Sequence, residues 1–266
     1  MMRARAGLAR HGWTPAARRA RPPSVTEETL RALPVVGAAF VAQPTLRVAR
    51  ALLGKVLVHR SAAGTTAGRI VEVEAYRGPA DRAAHTAGGR RTPRNEVMWG
   101  PGGRLYVYFT YGMHYCCNVV TRAAGEPEAV LLRALEPVAG IELMRIRRGV
   151  DGGADARLCR GPGNLCRAMG IDRTLNGVDL RRSAVVLLDA PSVPARAVAR
   201  SPRIGVAYAG RDAALPWRFY VRDSPAVSRP PAAAHPAARR NGQRAPAKTR
   251  AARVRSTGAA GRSPLR

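Results

Sequence analysis

The large apolar residues of this chain are concentrated between residues 25 and 228, in short runs bounded by Gly, Pro and Asp. "KVLVHR", "GRIVEVEAYRG", "EAVLLRALEP", "SAVVLLDA", "RIGVAYAG" and "WRFYVRDSP" each have the length and spacing of a strand. "RLYVYFTYGMHYCCNVVT" reads as two strands around Tyr-Gly-Met, a hairpin. Helical patterns are fewer and short. "SVTEETLRAL" opens with capping Ser and Thr and first-turn glutamates, and "LRVARALL", "EPVAGIELMRIRRG" and "GPGNLCRAMGI" follow. Strands outnumber helices and hairpin links outnumber crossovers. The pattern predicts one compact α+β domain over 25–228, with a curved, mainly antiparallel and even barrel-like sheet.

The flanks cannot join that core. Residues 1–24 form a basic, Pro-containing arm, and residues 229–266 are Ala/Pro/Arg-rich with almost no large apolar side chain. Neither buries enough surface to offset its ordering entropy, so both are expected to be disordered. The N-terminal segment lacks the continuous apolar stretch of a secretory signal. No run approaches the about 18 apolar residues of a membrane span.

The formal charge is +28. Sixteen of the 45 basic residues lie in the two arms, which hold no acid, leaving 29 basic against 17 acidic residues between them. That excess fits a polyanionic partner such as nucleic acid. Yet 43 of the 45 are Arg, a bias that GC-rich coding produces without function, so charge alone does not decide the matter. Cys116, Cys117, Cys159 and Cys166 form no C-x-x-C pair and no zinc spacing. They read as buried free thiols, with Cys116 and Cys117 on opposite faces of a strand.

Two segments carry the chemistry. In "IVEVEAY", alternation sets Val71, Val73 and Ala75 on a core face and Ile70, Glu72, Glu74 and Tyr76 on the other. Taken alone, the second face would be solvated. The hairpin changes this, because it packs Tyr106, Tyr108, Tyr111 and Tyr115, four of the chain's seven tyrosines, into ten residues. Tyr111 sits beside Gly112 at the turn, where there is little core to enter. An aromatic at a hairpin tip of a basic protein has the form of a wedge for a minor groove.

"VEVEAYRGPADRAAHTAGGRRTPRN", "GRLYVYFTYGMHYCCN", "LLRALEP", "RIGVAYAG" and "RFYVRDSP" resemble, in order, the alkyladenine (3-methyladenine) DNA glycosylases of base-excision repair. The resemblance spans about residues 25–228 and neither arm. It implies a compact domain whose hairpin enters the minor groove of duplex DNA carrying alkylated bases. It implies Glu74 as the base that deprotonates a water attacking C1′, with Arg133 and the Ile204 carbonyl holding that water. Tyr76, His85 and Tyr108 would enclose the flipped base, Asn118 would screen its edges, and Tyr111 would fill the vacated place in the duplex. Glu72 is left a supporting role. No metal or other cofactor is called for. A monomer without membrane contact, acting in a bacterial cytoplasm on the nucleoid, completes the expectation.

These roles are physically coherent. Extruding a nucleotide costs a few kcal/mol, and a rigid aromatic can fill the gap. Alkylated purines such as 3-methyladenine are cationic, so tyrosine walls add about 0.5–2 kcal/mol of cation–π attraction. A cationic base also leaves readily, and one carboxylate can then suffice. Strand-cutting glycosylases need an amine, yet only Lys55 and Lys248 are lysines, and neither lies in the matched motifs. A monofunctional hydrolase is expected. The matched catalytic positions show no departure, whereas loops such as "RGVDGGADARLCR" vary and bear on lesion range. A non-enzymatic nucleic-acid binder would leave Glu74 idle. An RNA-acting module rests on analogy of fold alone.

Overall fold

The computed structural model describes residues 27–228. The two arms expected at 1–24 and 229–266 lie outside the described residues.

The organising element is β2 (Gly64–Tyr76), a 13-residue strand. Along one edge it pairs with β5 (Glu128–Ala139). Along the other it pairs first with β1 (Val56–Ser61) and then, at Glu72–Glu74, with β8 (Arg218–Val221). Outward from β5 lie β4 (His114–Thr121) and β3 (Leu105–Thr110), outward from β1 lies β6 (Val185–Leu188), and β7 (Val198–Ser201) pairs with β8. All these pairings are antiparallel. The sheet is open rather than barrel-like. β2 changes its partner from β1 to β8 partway along its length, so the sheet branches there, and β3 and β6 stay unpaired to each other.

The helices are α1 (Glu27–Ala32), α2 (Ala38–Val41), α3 (Thr45–Leu52), α4 (Ile141–Arg148) and α5 (Pro162–Met169). Val48, Ala49 and Leu52 of α3 and Leu165, Cys166 and Met169 of α5 pack with Leu105, Val107, Cys117, Val119, Val73 and Phe219 in the main core. Each such large side chain contributes about 1.5–3 kcal/mol on burial. Tyr106, Tyr108, Cys116 and Asn118 alternate onto the opposite face of the sheet. Cys116 and Cys117 thus face opposite ways, and all four cysteines are buried and free. Among the described residues no helix is long and apolar enough to cross a membrane.

Two expected elements differ. The helix read from "EPVAGIELMRIRRG" begins only at Ile141, because β5 runs on to Ala139. Gly140 makes the switch at φ 70°, where a Cβ would clash with the Thr65 carbonyl. "RIGVAYAG" is not a strand. It is a loop that turns at Gly205 (φ 76°) and enters a 3₁₀ helix, Ala207–Ala214. Its apolar alternation reflects packing of a loop against the sheet, not ladder pairing.

Candidate active site

Both glutamates of β2 are fully buried, not solvated as alternation alone would have it. The register between β2 and β5 slips once near its start, between Ala67 and Gly68, and twice beside the glutamates, where the first slip falls between Ile70 and Glu72 and the second between Glu72 and Val73. Of the two beside the glutamates, the first leaves Val71 without a β5 partner and the second leaves Arg133 without a β2 partner. Strict alternation therefore fails, and Ile70 joins the core with Val71, Val73 and Ala75. A bulge re-aims its extra side chain. Here it turns Arg133 back over β2, with Nε 3.0 Å from Glu72 Oε1 and Nη1 3.3 Å from Glu74 Oε1.

The two carboxylates differ in surroundings. Glu72 accepts from Arg133 Nε, from Arg218 Nε at 2.7 Å, and from the Ser228 amide and hydroxyl at 2.6 and 2.8 Å. Burial by itself would raise its pKa, but two guanidiniums and the Ser228 amide outweigh burial and hold it below the ordinary value. Glu74 accepts from the Ile204 amide at 2.8 Å and the Tyr76 hydroxyl at 2.9 Å. Here burial prevails over Arg133, Ile204 and Tyr76, and the pKa is raised. A raised carboxylate holds a proton more tightly, which makes its ionised form the stronger base.

A cavity of about 210 Å³ opens beside Arg133, and Tyr76, His85, Tyr106, Tyr108, Asn118, Arg133 and Ile204 are among its lining residues. Glu74 lies just behind, held by three of them. His85 meets Tyr108 edge-on at 4.6 Å between centroids, and its Nδ1 is 2.9 Å from the Tyr106 hydroxyl. Burial, with Arg94 and Arg90 nearby, lowers the His85 pKa to about 4, so the ring is neutral at neutral pH. Asn118 donates to the Tyr106 carbonyl at 3.1 Å.

At the mouth stands the hairpin tip. Tyr111 is 82% exposed, and with Gly112 it has the paired positive φ, 51° and 66°, of a type I′ turn. The Met113 amide closes that turn on the Thr110 carbonyl at 3.3 Å. Left-handed backbone costs a residue with a Cβ about 1–2 kcal/mol. Tyr208, also exposed at the mouth, donates to the Ala83 carbonyl at 3.2 Å.

All eight residues singled out in the sequence thus converge on one place: seven line the cavity and Glu74 backs it. Ile204 touches Glu74 through its amide. Three contributors escaped the sequence reading. Tyr106 was one of the clustered tyrosines, and its two-residue offset from Tyr108 was the available signal. The Asp81–Arg203 pair, closed at 2.5 and 2.8 Å with both side chains fully buried, had none. The lysine reading stands for Lys55, which is bound to Asp189 at 2.6 Å and the Ala190 carbonyl at 2.7 Å and is absent from the cavity lining. Lys248 lies outside the described residues. His59 is structural, its ring 2.8 Å from the Met169 carbonyl.

A fully buried carboxylate with a raised pKa thus stands behind a cavity walled by tyrosines and a neutral imidazole. The chain belongs to the methylpurine-DNA glycosylase family, whose sequence pattern matches residues 39–225. It is 52% identical over 194 residues to a relative from Anaeromyxobacter dehalogenans, covering 73% of this chain and 85% of the other. A relative from Desulfitobacterium hafniense is 48% identical over 199 residues, covering 73% and 98%. The DNA-3-methyladenine glycosylase of Homo sapiens is 47% identical over 205 residues, covering 73% and 67%.

Proposed function

We propose that this chain releases alkylated purines, 3-methyladenine among them, from duplex DNA by hydrolysis of the N-glycosidic bond. The observation that carries the reading is Glu74, buried behind the aromatic cavity with a raised pKa. The damaged nucleotide rotates out of the duplex, and its base enters between Tyr76, His85 and Tyr108, with Asn118 against its edge. Tyr111 takes the vacated space. A water held by Arg133 and the Ile204 carbonyl gives its proton to Glu74 as its oxygen bonds C1′. The glycosidic electron pair leaves with the base, and an abasic site remains.

A neutral His85 supports this reading, since an imidazolium there would repel a cationic base. So does the engagement of Lys55 elsewhere, which fits water as the nucleophile. Residues 25–228 act as the glycosylase domain and a monomer suffices. The basic arms at 1–24 and 229–266 add sequence-independent attraction to phosphates, in a cytoplasmic setting on the nucleoid. The test is abasic-site formation on a duplex carrying one 3-methyladenine. Wild type produces the site and Glu74→Gln does not; equal product from both overturns the reading.

A further inference from the structure

Two of the tyrosines that line the cavity, Tyr76 and Tyr108, each carry an arginine that does not line it. The Arg203 guanidinium carbon lies 4.8 Å from the Tyr76 ring centroid, and that of Arg94 lies 5.4 Å from the Tyr108 centroid. Neither arginine is among the cavity residues. Both are anchored. Arg203 forks onto Asp81 and donates to the Ala75 carbonyl at 2.9 Å, and Arg94 donates to the Phe109 carbonyl at 3.0 Å. Asp81 neutralises Arg203 in part, whereas Arg94 is exposed and bonded to a neutral carbonyl.

A cation over one face of an aromatic ring draws π density toward itself. A second cation on the same ring then gains less, and it is repelled through a medium of low dielectric. A neutral ring loses nothing by this and stacks on the polarised tyrosine as before. We propose that Arg94, with Arg203 as its buried counterpart, is a specificity-determining residue that sets the pocket's charge preference, holding down binding of cationic bases relative to neutral ones. This rests on the glycosylase reading and assigns a residue outside the cavity lining to the discrimination between base charges. The same Arg94 charge acts on His85, whose pKa it helps to lower.

The experiment compares single-turnover release of 7-methylguanine, which is cationic, and hypoxanthine, which is neutral, from otherwise identical duplexes. Arg94→Gln removes the charge at an exposed position, and Arg94→Lys keeps it. Arg94→Gln is expected to raise the cationic-to-neutral rate ratio about threefold to tenfold, the size of one weakened cation–π contact. Arg94→Lys is expected to hold the wild-type ratio. An unchanged ratio in Arg94→Gln overturns the inference, as does an equal shift in Arg94→Lys, which would assign the effect to geometry. Wild-type enzyme that releases 7-methylguanine but no hypoxanthine overturns it too. If hypoxanthine alone is released, gain of 7-methylguanine release in Arg94→Gln supports it and no gain overturns it. Release of neither base by wild type, with no 3-methyladenine release, instead sinks the glycosylase reading on which it rests.

Discussion

Glu72 and Glu74 share one guanidinium, Arg133, at 3.0 and 3.3 Å, yet their pKa values move in opposite directions. The cause is the company each keeps. Glu72 also has Arg218 and both Ser228 donors, whereas Glu74 has a backbone amide and a tyrosine hydroxyl. One carboxylate is thereby locked as a counter-ion, and the other is left poised to take a proton.

The two glutamates should therefore respond oppositely to the same substitution. Glu72→Gln removes the buried carboxylate that Arg133 and Arg218 share and is expected to lower stability by about 3–5 kcal/mol. Glu74→Gln removes a charge that burial disfavours, so stability should hold or rise, while base release falls about 10²–10⁴-fold. Denaturant melts and single-turnover assays on both variants check this. A destabilised Glu74→Gln, or a Glu72→Gln that is stable but inactive, would reverse the assignment.

Tyr76 connects the pocket wall to Glu74. Its hydroxyl bond to Glu74 favours the carboxylate, so Tyr76→Phe should raise the Glu74 pKa further while keeping the ring in place. Base release by wild type is expected to fall as pH drops through the raised Glu74 value. In Tyr76→Phe that acid limb should lie at higher pH. The linkage runs the other way for folding. A raised acid contributes stability that is present below its unfolded pKa and lost as pH rises through the folded one. Rate and stability should thus diverge over this window, and an acid limb unmoved in Tyr76→Phe would deny the hydroxyl its role.

His85 supplies a spectroscopic check. Its pKa of about 4 lies below the usual 6.5, so the unfolded chain binds its proton first. The His85 contribution to stability is complete above 6.5 and is lost as pH falls from 6.5 toward 4. The His85 ring resonances should stay those of a neutral imidazole down to about pH 5. Titration near 6.5 would show that the pocket does not exclude charge at this ring.

How much of this was legible beforehand follows from which residues carry local signals. The hairpin, the Glu74 strand and the free cysteines were readable, because aromatic clustering, alternation and turn residues are written over a few neighbouring positions. The loop at Ile204 was misread as a strand, since its residues are apolar for packing while its backbone serves the site. The bulge that aims Arg133 is a one-residue slip between β2 and β5, which neither strand shows alone. Asp81 and Arg203 are 122 residues apart, and no periodicity links a charge to its partner over that distance.

Tyr111 offers the sharpest separation of function from folding. It occupies a left-handed position that Asn or Gly would fill with less strain, it is 82% exposed, and its side chain adds little to any core. A folding criterion alone would replace it. Tyr111→Asn is therefore expected to melt at the same temperature as wild type or slightly higher. If the ring fills the gap left by the extruded nucleotide, it contributes stacking of about 1–3 kcal/mol to the flipped state. Losing it should cut the flipping equilibrium about tenfold or more while leaving initial encounter with DNA nearly unchanged. A fluorescent base reporter in the duplex would show normal association and a smaller extruded fraction, and Tyr111→Phe should restore that fraction. A lesion placed in an unpaired bulge should be less sensitive, because less stacking has to be replaced. Should Tyr111→Asn flip and excise like wild type, the wedge assignment fails, and the strain at this turn would need another cause.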